Sequence, residues 1–395
     1  MRRLTRMRGI WVIVGLVIVL GIGTGVVLAL RQTQKQPVSS PEPVQRKEQV
    51  TPPAELSLQF AAMGDMLPHD SVVAQAKTAD GYDFSGYFTA IKSLYTGSDA
   101  VFCNAESPSA GAAFGISGYP AFNAPTEFAR DVAGAGCNVI NLANNHMADK
   151  GQAALNATVD EWQKLKPLAV AGANRSAEEQ NQVRYFEKNG LKVAFVAFAD
   201  FSNVALPQPY SVNLYHDRGL VERLVREARL QADVVLASMH WGTEDAHVVN
   251  ADQRAAARLL ADLGVDVIVG TGPHVLQPVE WLERPDGGKT LVWYSIGNLL
   301  SSQLQANQLT GGVALFKATK KDTGVVISDV QFKPTFMSYQ WSAADKAAQR
   351  LLARHDLKLQ PLTQAEAETG MFGTTVAEQT ARVQEWLGPD VEITN

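Results

Sequence analysis

Apolar residues gather in short, nearly continuous runs: "LSLQFAAM" from Leu56, "AVFC" from Ala100, "NVINLA" from Asn138, "KVAFVAFA" from Lys192, "DVVLASM" from Asp233, "VDVIVG" from Val265 and "LVWYSI" from Leu291. Runs this long, rich in Val, Ile, Leu, Phe and Ala and lacking strict polar alternation, predict strands covered on both faces. Between them the spacing turns helical in "PTEFARDVAGAG", "GQAALNATVDEWQKL", "DRGLVERLVREARLQA" and "NADQRAAARLLADLG", with polar starts and glycine or proline stops. Strand runs alternating with amphipathic helices predict an α/β domain over residues 54–340. Asn189-Gly190 signals a hairpin, and two late antiparallel strands should turn near Asp322 to Gly324. Residues 341–395 read as a C-terminal helical extension, from "SAADKAAQRLLARH" and "TVAEQTARVQEWL". No internal repeat of fixed period occurs.

A different pattern opens the chain. No charged residue lies between Ile10 and Leu30, and about 20 apolar residues at a rise of about 1.5 Å cover a hydrocarbon core of roughly 30 Å. Arg2, Arg3, Arg6 and Arg8 precede this stretch. The positive-inside tendency therefore predicts a single-pass anchor over 10–30, with residues 1–9 cytoplasmic and the bulk of the chain outside the cell membrane. A cleaved signal peptide is the alternative, given the small-residue site at Val27-Leu28-Ala29, although the apolar stretch is long for one. The polar, Pro-rich residues 31–53 read as a tether, having no period that could bury a face.

Composition narrows the picture. Hydrophobic residues make up 46% and charged residues 19%, which excludes a largely disordered chain. The formal net charge of −5 leaves nothing global to attract nucleic acid, so an anionic ligand must be held locally. The only two cysteines, Cys103 and Cys137, sit in or beside apolar runs. They read as two buried thiols; a single bridge is the alternative, and no framework of bridges is expected.

Chemistry is concentrated where strands should end. Asp65 follows the first run, Asn104 and Glu106 the second, Asn144, Asn145 and His146 the third; His240 and His274 follow later ones. In parallel α/β sheets the carboxyl ends of strands share an edge, where ligands bind, so these groups can converge from distant sequence. Carboxylates, an amide oxygen and imidazoles suit a metal site, and a free histidine suits leaving-group protonation. Each residue has a plainer reading too. Asp65 could cap a turn, Glu106 could be a solvated loop charge, the asparagines could bond a turn, and the histidines could be packed core residues. Their joint recurrence at strand ends argues for a site.

"AMGDMLPHD", "FCNAESPSA", "VINLANNHMADKG", "ASMHWGTED", "DVIVGTGPHVLQPVEWL" and "WYSIGNLLSSQ", in this order, resemble the CapA/PgsA family of poly-γ-glutamate capsule biosynthesis proteins over about residues 56–305. The resemblance implies a calcineurin-like metallophosphatase fold, a four-layer α-β-β-α sandwich with metal ligands at strand ends. Asp65, Glu106, Asn145, His240 and His274 match metal ligands, and His146, oriented by Asp149, matches the leaving-group acid. One or two divalent transition ions (Mn, Zn or Fe) are implied. The family's role implies membrane-bound poly-γ-glutamate synthase subunits and the polymer itself as partners. Two departures stand out: Leu67 and Gly272 occupy positions where the metallophosphatase pattern has histidine, Gly272-Pro273-His274 standing where family members often read His-Pro-His. The ligand set is thus short of a full two-metal clamp, which leaves open a hydrolase acting on a phosphoester or γ-linked amide and a module that binds polymer without cutting it.

Overall fold

The first three strand runs, with a short strand that follows them, build part of one mixed sheet: β1 (Ser57–Met66), β2 (Ala100–Ala105), β3 (Val139–Asn141) and β4 (Ala169–Ala171), paired in parallel in that order. The chain then forms a second sheet from β5 (Arg184–Lys188), β6 (Leu191–Ala199), β7 (Val234–His240), β8 (Val267–Thr271), β9 (Leu276–Glu283) and β10 (Lys289–Ile296), in the order β5-β6-β7-β8-β10-β9. It returns to the first sheet through β11 (Asn298–Leu300), β12 (Thr310–Lys321), β13 (Gly324–Gln340), β14 (His355–Pro361) and β15 (Glu392–Ile393). That sheet runs β14-β13-β12-β1-β2-β3-β4, with β11 beside β1 and β15 beside β13. These elements come from a computed structural model that describes residues 55–322 and 324–394. The expected cytoplasmic N-terminus, anchor and tether lie outside the described residues. Among those described, no helix is long and apolar enough to cross a membrane.

The alternation along β6 shows how the layers stack. Val193, Phe195, Ala197 and Ala199 join the main core, shared with Phe60, Phe102 and Ile140 of the first sheet. Ala194, Val196 and Phe198 point the other way, under Leu220, Leu224 and Leu260 of the helices Arg218–Gln231 and Ala251–Asp262. Successive side chains on a strand face opposite sides, so a strand buried on both faces must lie between layers. The helices Thr126–Gly134 and Gly151–Lys164 bury Phe128, Leu155 and Trp162 in the main core. The α/β class is as expected, with two mixed sheets.

Most local signals meet their elements. Asn189 and Gly190 take positive φ between β5 and β6, and Asn250 with Gln253 forms the capping box of Ala251–Asp262. Two readings need correction. Residues 341–395 are not purely helical: the helix predicted over 342–355 is reduced to Ala343–Ala347 and a turn at Leu351–Ala353, and His355–Pro361 pairs with β13 as an edge strand. Only pairing with a distant strand makes that polar segment extended. Cys103 and Cys137 are not two thiols but a buried disulfide, with Cα atoms 5.8 Å apart.

One close approach locks the site end of the fold. A Cβ on Gly64 would lie 1.8 Å from the Gly297 carbonyl oxygen, and the Asp65 amide donates to that same oxygen at 3.0 Å. Only glycine lets the end of β1 touch the turn after β10, and this contact carries Asp65 to the second sheet.

Candidate functional site

Parallel strands of both sheets end at one place. Asp65 ends β1 opposite Asn104 of β2, while His240 and Thr271 end β7 and β8 as register partners. Glu106 and His274 lie just beyond β2 and β8. All are buried, and so are Asn144, Asn145 and His146.

Hydrogen bonds fix the orientation of the donors. Asp65 accepts from the Asn104 amide at 2.7 Å, from Gly272 N–H at 3.1 Å and from His274 Nδ1 at 3.0 Å. His274 Nδ1 also faces Asn298 Oδ1 at 3.1 Å, and His240 Nδ1 faces Thr271 Oγ1 at 3.0 Å. With both Nδ1 atoms engaged, the Nε2 atoms face Glu106 Oε1, at 3.5 Å from His240 and 3.7 Å from His274. Asn145 Oδ1 is 3.0 Å from His240 Nε2. Donors about 2.1 Å from a tetrahedral ion would be roughly 3.4 Å apart, so these spacings suit a shared ion.

Glu106 supplies the independent test of that fit. Both its carboxylate oxygens are buried and have no hydrogen-bond partner. A buried carboxylate without a partner is costly, and two ring nitrogens turned toward it make a cation the natural complement. Asp65, Glu106 and His240 offer ligand atoms within 4.8 Å of one another. His274 adopts φ 61°, a left-handed conformation unusual for a residue with a Cβ, and such strain is often stored at functional sites.

The electrostatics divide the two carboxylates. Burial, then the charge of Asp65, pushes the Glu106 carboxyl well above its ordinary 4.5. Burial would also raise Asp65, but the hydrogen bond and charge of His274 hold it below 3.8. Burial drives His240 down to about 4, leaving it neutral as a metal ligand requires. Burial works downward on His274 too, yet the Asp65 contact outweighs it and raises that imidazole.

This division yields a prediction. In chelator-treated protein at neutral pH, Glu106→Gln is expected to stabilise the fold by about 1–3 kcal/mol, by removing the demand to bury a charge without partners. A carboxyl whose folded pKa is raised binds more protons folded than unfolded, so stability falls as pH rises through the unfolded value. The advantage of the variant should therefore vanish below about pH 4 and grow above it. Denaturant melts across that range would check this; equal stability at every pH would refute the unpartnered-charge account.

His146 forms a second, adjoining unit. Its Nδ1 lies 2.7 Å from Asp149 Oδ2, an oxygen that also accepts from Phe122 N–H at 2.8 Å. With Nδ1 donating to the carboxylate, Nε2 is left facing the Asn203 amide at 3.3 Å. The Phe122 ring packs edge-on against His146, centroids 4.6 Å apart.

All seven candidate residues are thus brought together, Glu106 with Asp65, Asn145, His240 and His274 around it, and His146 and Asp149 beside them. The remaining histidines stand apart from the cluster. His69 accepts from Ser302 N–H, His247 stacks on Trp386, His216 pairs with Asp200 at the surface, and His355 is exposed. Asn203, Thr271 and Asn298 were missed, although each follows or ends an apolar run. Their strand-end positions were visible, but their roles depend on which ring nitrogen each one faces. Leu67 is buried and apolar, and Gly272 has no side chain, so neither supplies a ligand.

Residues 59–303 match the family model described as "Bacterial capsule synthesis protein PGA_cap". The chain is 31% identical over 189 residues to the PGA biosynthesis protein CapA of Bacillus subtilis (strain 168), covering 47% of this chain and 48% of that one. It is 32% identical over 214 residues to the capsule biosynthesis protein CapA of Bacillus anthracis, covering 53% and 50%. The aligned region thus spans about half the length of these curated relatives. Among solved structures, the calcineurin-like phosphoesterase YfkN of Bacillus subtilis aligns with a TM-score of 0.44 at 15% identity, over 71% of this chain and 90% of that one. The 5'-nucleotidase of Candida albicans SC5314 aligns with a TM-score of 0.38 at 10% identity, over 65% and 47%.

Proposed function

Because the chain belongs to the bacterial capsule synthesis protein family PGA_cap, we propose that it serves the synthesis or export of a poly-γ-glutamate capsule, as a membrane-anchored component acting outside the cell. The observation that carries this reading is the family match itself, since residues 59–303 contain every member of the buried cluster. Two features support the location. The uncharged stretch 10–30 follows four arginines, and the Cys103–Cys137 disulfide suits an oxidising exterior. Its partners in this reading are membrane-bound poly-γ-glutamate synthase subunits and the growing polymer.

The proposal extends to the site: a calcineurin-like metallophosphatase centre, with Asp65, Glu106, Asn145, His240 and His274 holding a divalent transition ion. When bound, such an ion lowers the pKa of a coordinated water and polarises a phosphoryl or acyl oxygen. The chain's own groups do the rest. Asp65 and Asn298 aim His274, Thr271 aims His240, and Asp149 holds the His146 ring so that Nε2 can carry a proton to a leaving group. The unpartnered Glu106 oxygens and the His146–Asp149 pair favour a second reading, a metal-dependent hydrolase cutting a phosphoester or γ-linked amide.

Deleting the gene is expected to abolish surface polymer, with full recovery on complementation by the wild-type chain. Normal surface polymer in the deletion strain would sink the capsule reading. Complementation with His146→Ala separates the two readings: recovery is expected if the chain assembles or exports, whereas a hydrolytic step requires the strain to stay bare.

A further inference from the structure

Arg354 is only 7% exposed. Its Nε donates to the Leu351 carbonyl at 2.8 Å, and its guanidinium carbon lies 5.4 Å from the Tyr339 ring centroid and 5.9 Å from that of Trp341. Among the described residues no carboxylate lies within ion-pair distance of it, and its terminal Nη groups have no protein acceptor. Burying a guanidinium without a counter-charge is costly, and arginine does not escape the cost by losing its proton. The two aromatic faces hold the planar fork in one orientation.

The fork lines a cleft of about 310 Å³, together with His69, Asp70, Tyr119 and Gln303. Tyr119 stands at its rim, 73% exposed. One wall of the cleft is joined to the buried cluster by packed rings. His69 packs on the edge of Phe122, centroids 5.4 Å apart, and Phe122 packs in turn on His146. On the other side, Leu304 and Leu351 also line a larger cavity of about 650 Å³, with Tyr339, Trp341 and Phe372. The two cavities thus adjoin at Leu304 and Leu351, with Arg354 in the smaller and Lys346 in the larger.

We propose that Arg354 is an anion subsite that grips one carboxylate of an acidic chain laid along this cleft toward His146. A carboxylate is favoured over a phosphate because the cleft offers one planar bidentate fork and no second cation, and Asp70 adds a negative charge nearby. A chain is favoured over a small acid because the cleft adjoins the larger cavity at Leu304 and Leu351, so a ligand held at the fork can continue into it. The subsite rests on the reading of an acidic polymer as ligand, and it places the grip outside the metal-ligand cluster.

The test measures binding of a short γ-linked glutamate oligomer to the full-length chain in detergent, for wild type, Arg354→Gln, Arg354→Lys and the control Arg226→Gln. Arg354→Gln is expected to weaken binding roughly 10- to 100-fold, the weight of a charge-assisted pair. Arg354→Lys should fall between, and Arg226→Gln, an exposed arginine that lines neither cavity, should leave binding within about twofold. Equal affinity for wild type and Arg354→Gln would overturn the subsite, as would inorganic phosphate competing better than glutarate. If the Arg354 variants fail to fold, modification of the wild-type arginine by phenylglyoxal decides: protection of Arg354 by the oligomer supports the subsite, and no protection overturns it. Absence of any oligomer binding to wild type overturns the subsite, while the deletion phenotype decides the capsule reading separately.

Discussion

His240→Ala combined with His274→Ala is expected to cut affinity for a divalent transition ion by on the order of 10⁴-fold or more. The scale comes from four-ligand zinc sites, where roughly 10–16 kcal/mol of binding divides into about 3 kcal/mol per ligand. The structural warrant is directional. Both Nδ1 atoms are engaged by Thr271, Asp65 and Asn298, so both Nε2 atoms are turned to the proposed ligands, His274 toward Glu106 and His240 toward Glu106 and Asn145. Metal content by mass spectrometry, on protein purified without chelator, should give about one or two equivalents for wild type and a trace for the variant. If wild type takes up no manganese, zinc or iron, the cluster is not a metal centre. If the variant retains the metal, the ligands have been misassigned.

Removing the disulfide, by Cys103→Ala with Cys137→Ala, is expected to cost about 4 kcal/mol. The bond closes a loop across a sequence separation of 34, and the loop-entropy relation gives that figure for such a length. At an unfolding entropy of about 2 cal/mol/K per residue, a domain of this size shifts by roughly 1.5 °C per kcal/mol, so the melting temperature should fall by about 6 °C. The bridge joins β2, which leads into Asn104 and Glu106, to the approach of β3, which leads into Asn144, Asn145 and His146. Loss of the bridge should therefore weaken metal retention as well as the fold. A thermal scan on oxidised wild type and the double variant measures the first effect, and an unchanged midpoint would mean that the bridge does not constrain the chain.

The cysteines also show where sequence reasoning ran short. Each sits in an apolar setting that a buried thiol would share, and nothing local separates a thiol from half of a bridge. The pairing exists because β2 and β3 are neighbours in parallel register, with Cys103 facing Ile140. The same limit applies to Arg354. Within "LLARHD" it reads as a solvated helix charge, and it becomes a buried guanidinium only because His355–Pro361 joins the sheet and brings Tyr339 and Trp341 over it.

From sequence alone came the α/β class, the principal strands and helices, and the placing of Asp65, Glu106, His146, His240 and His274 at strand ends. These follow from local periodicity and from the rule that parallel strands finish at a shared edge. Tertiary structure alone decided what each side chain meets there. The two sheets face each other so that β1 and β8 end together, and the Gly64–Gly297 contact closes the remaining gap. Ring orientation, the unpartnered Glu106 oxygens and the support from Asn203, Thr271 and Asn298 all depend on distances between segments remote in sequence. A residue's type and its neighbours in the chain do not specify such distances; only the packed fold does.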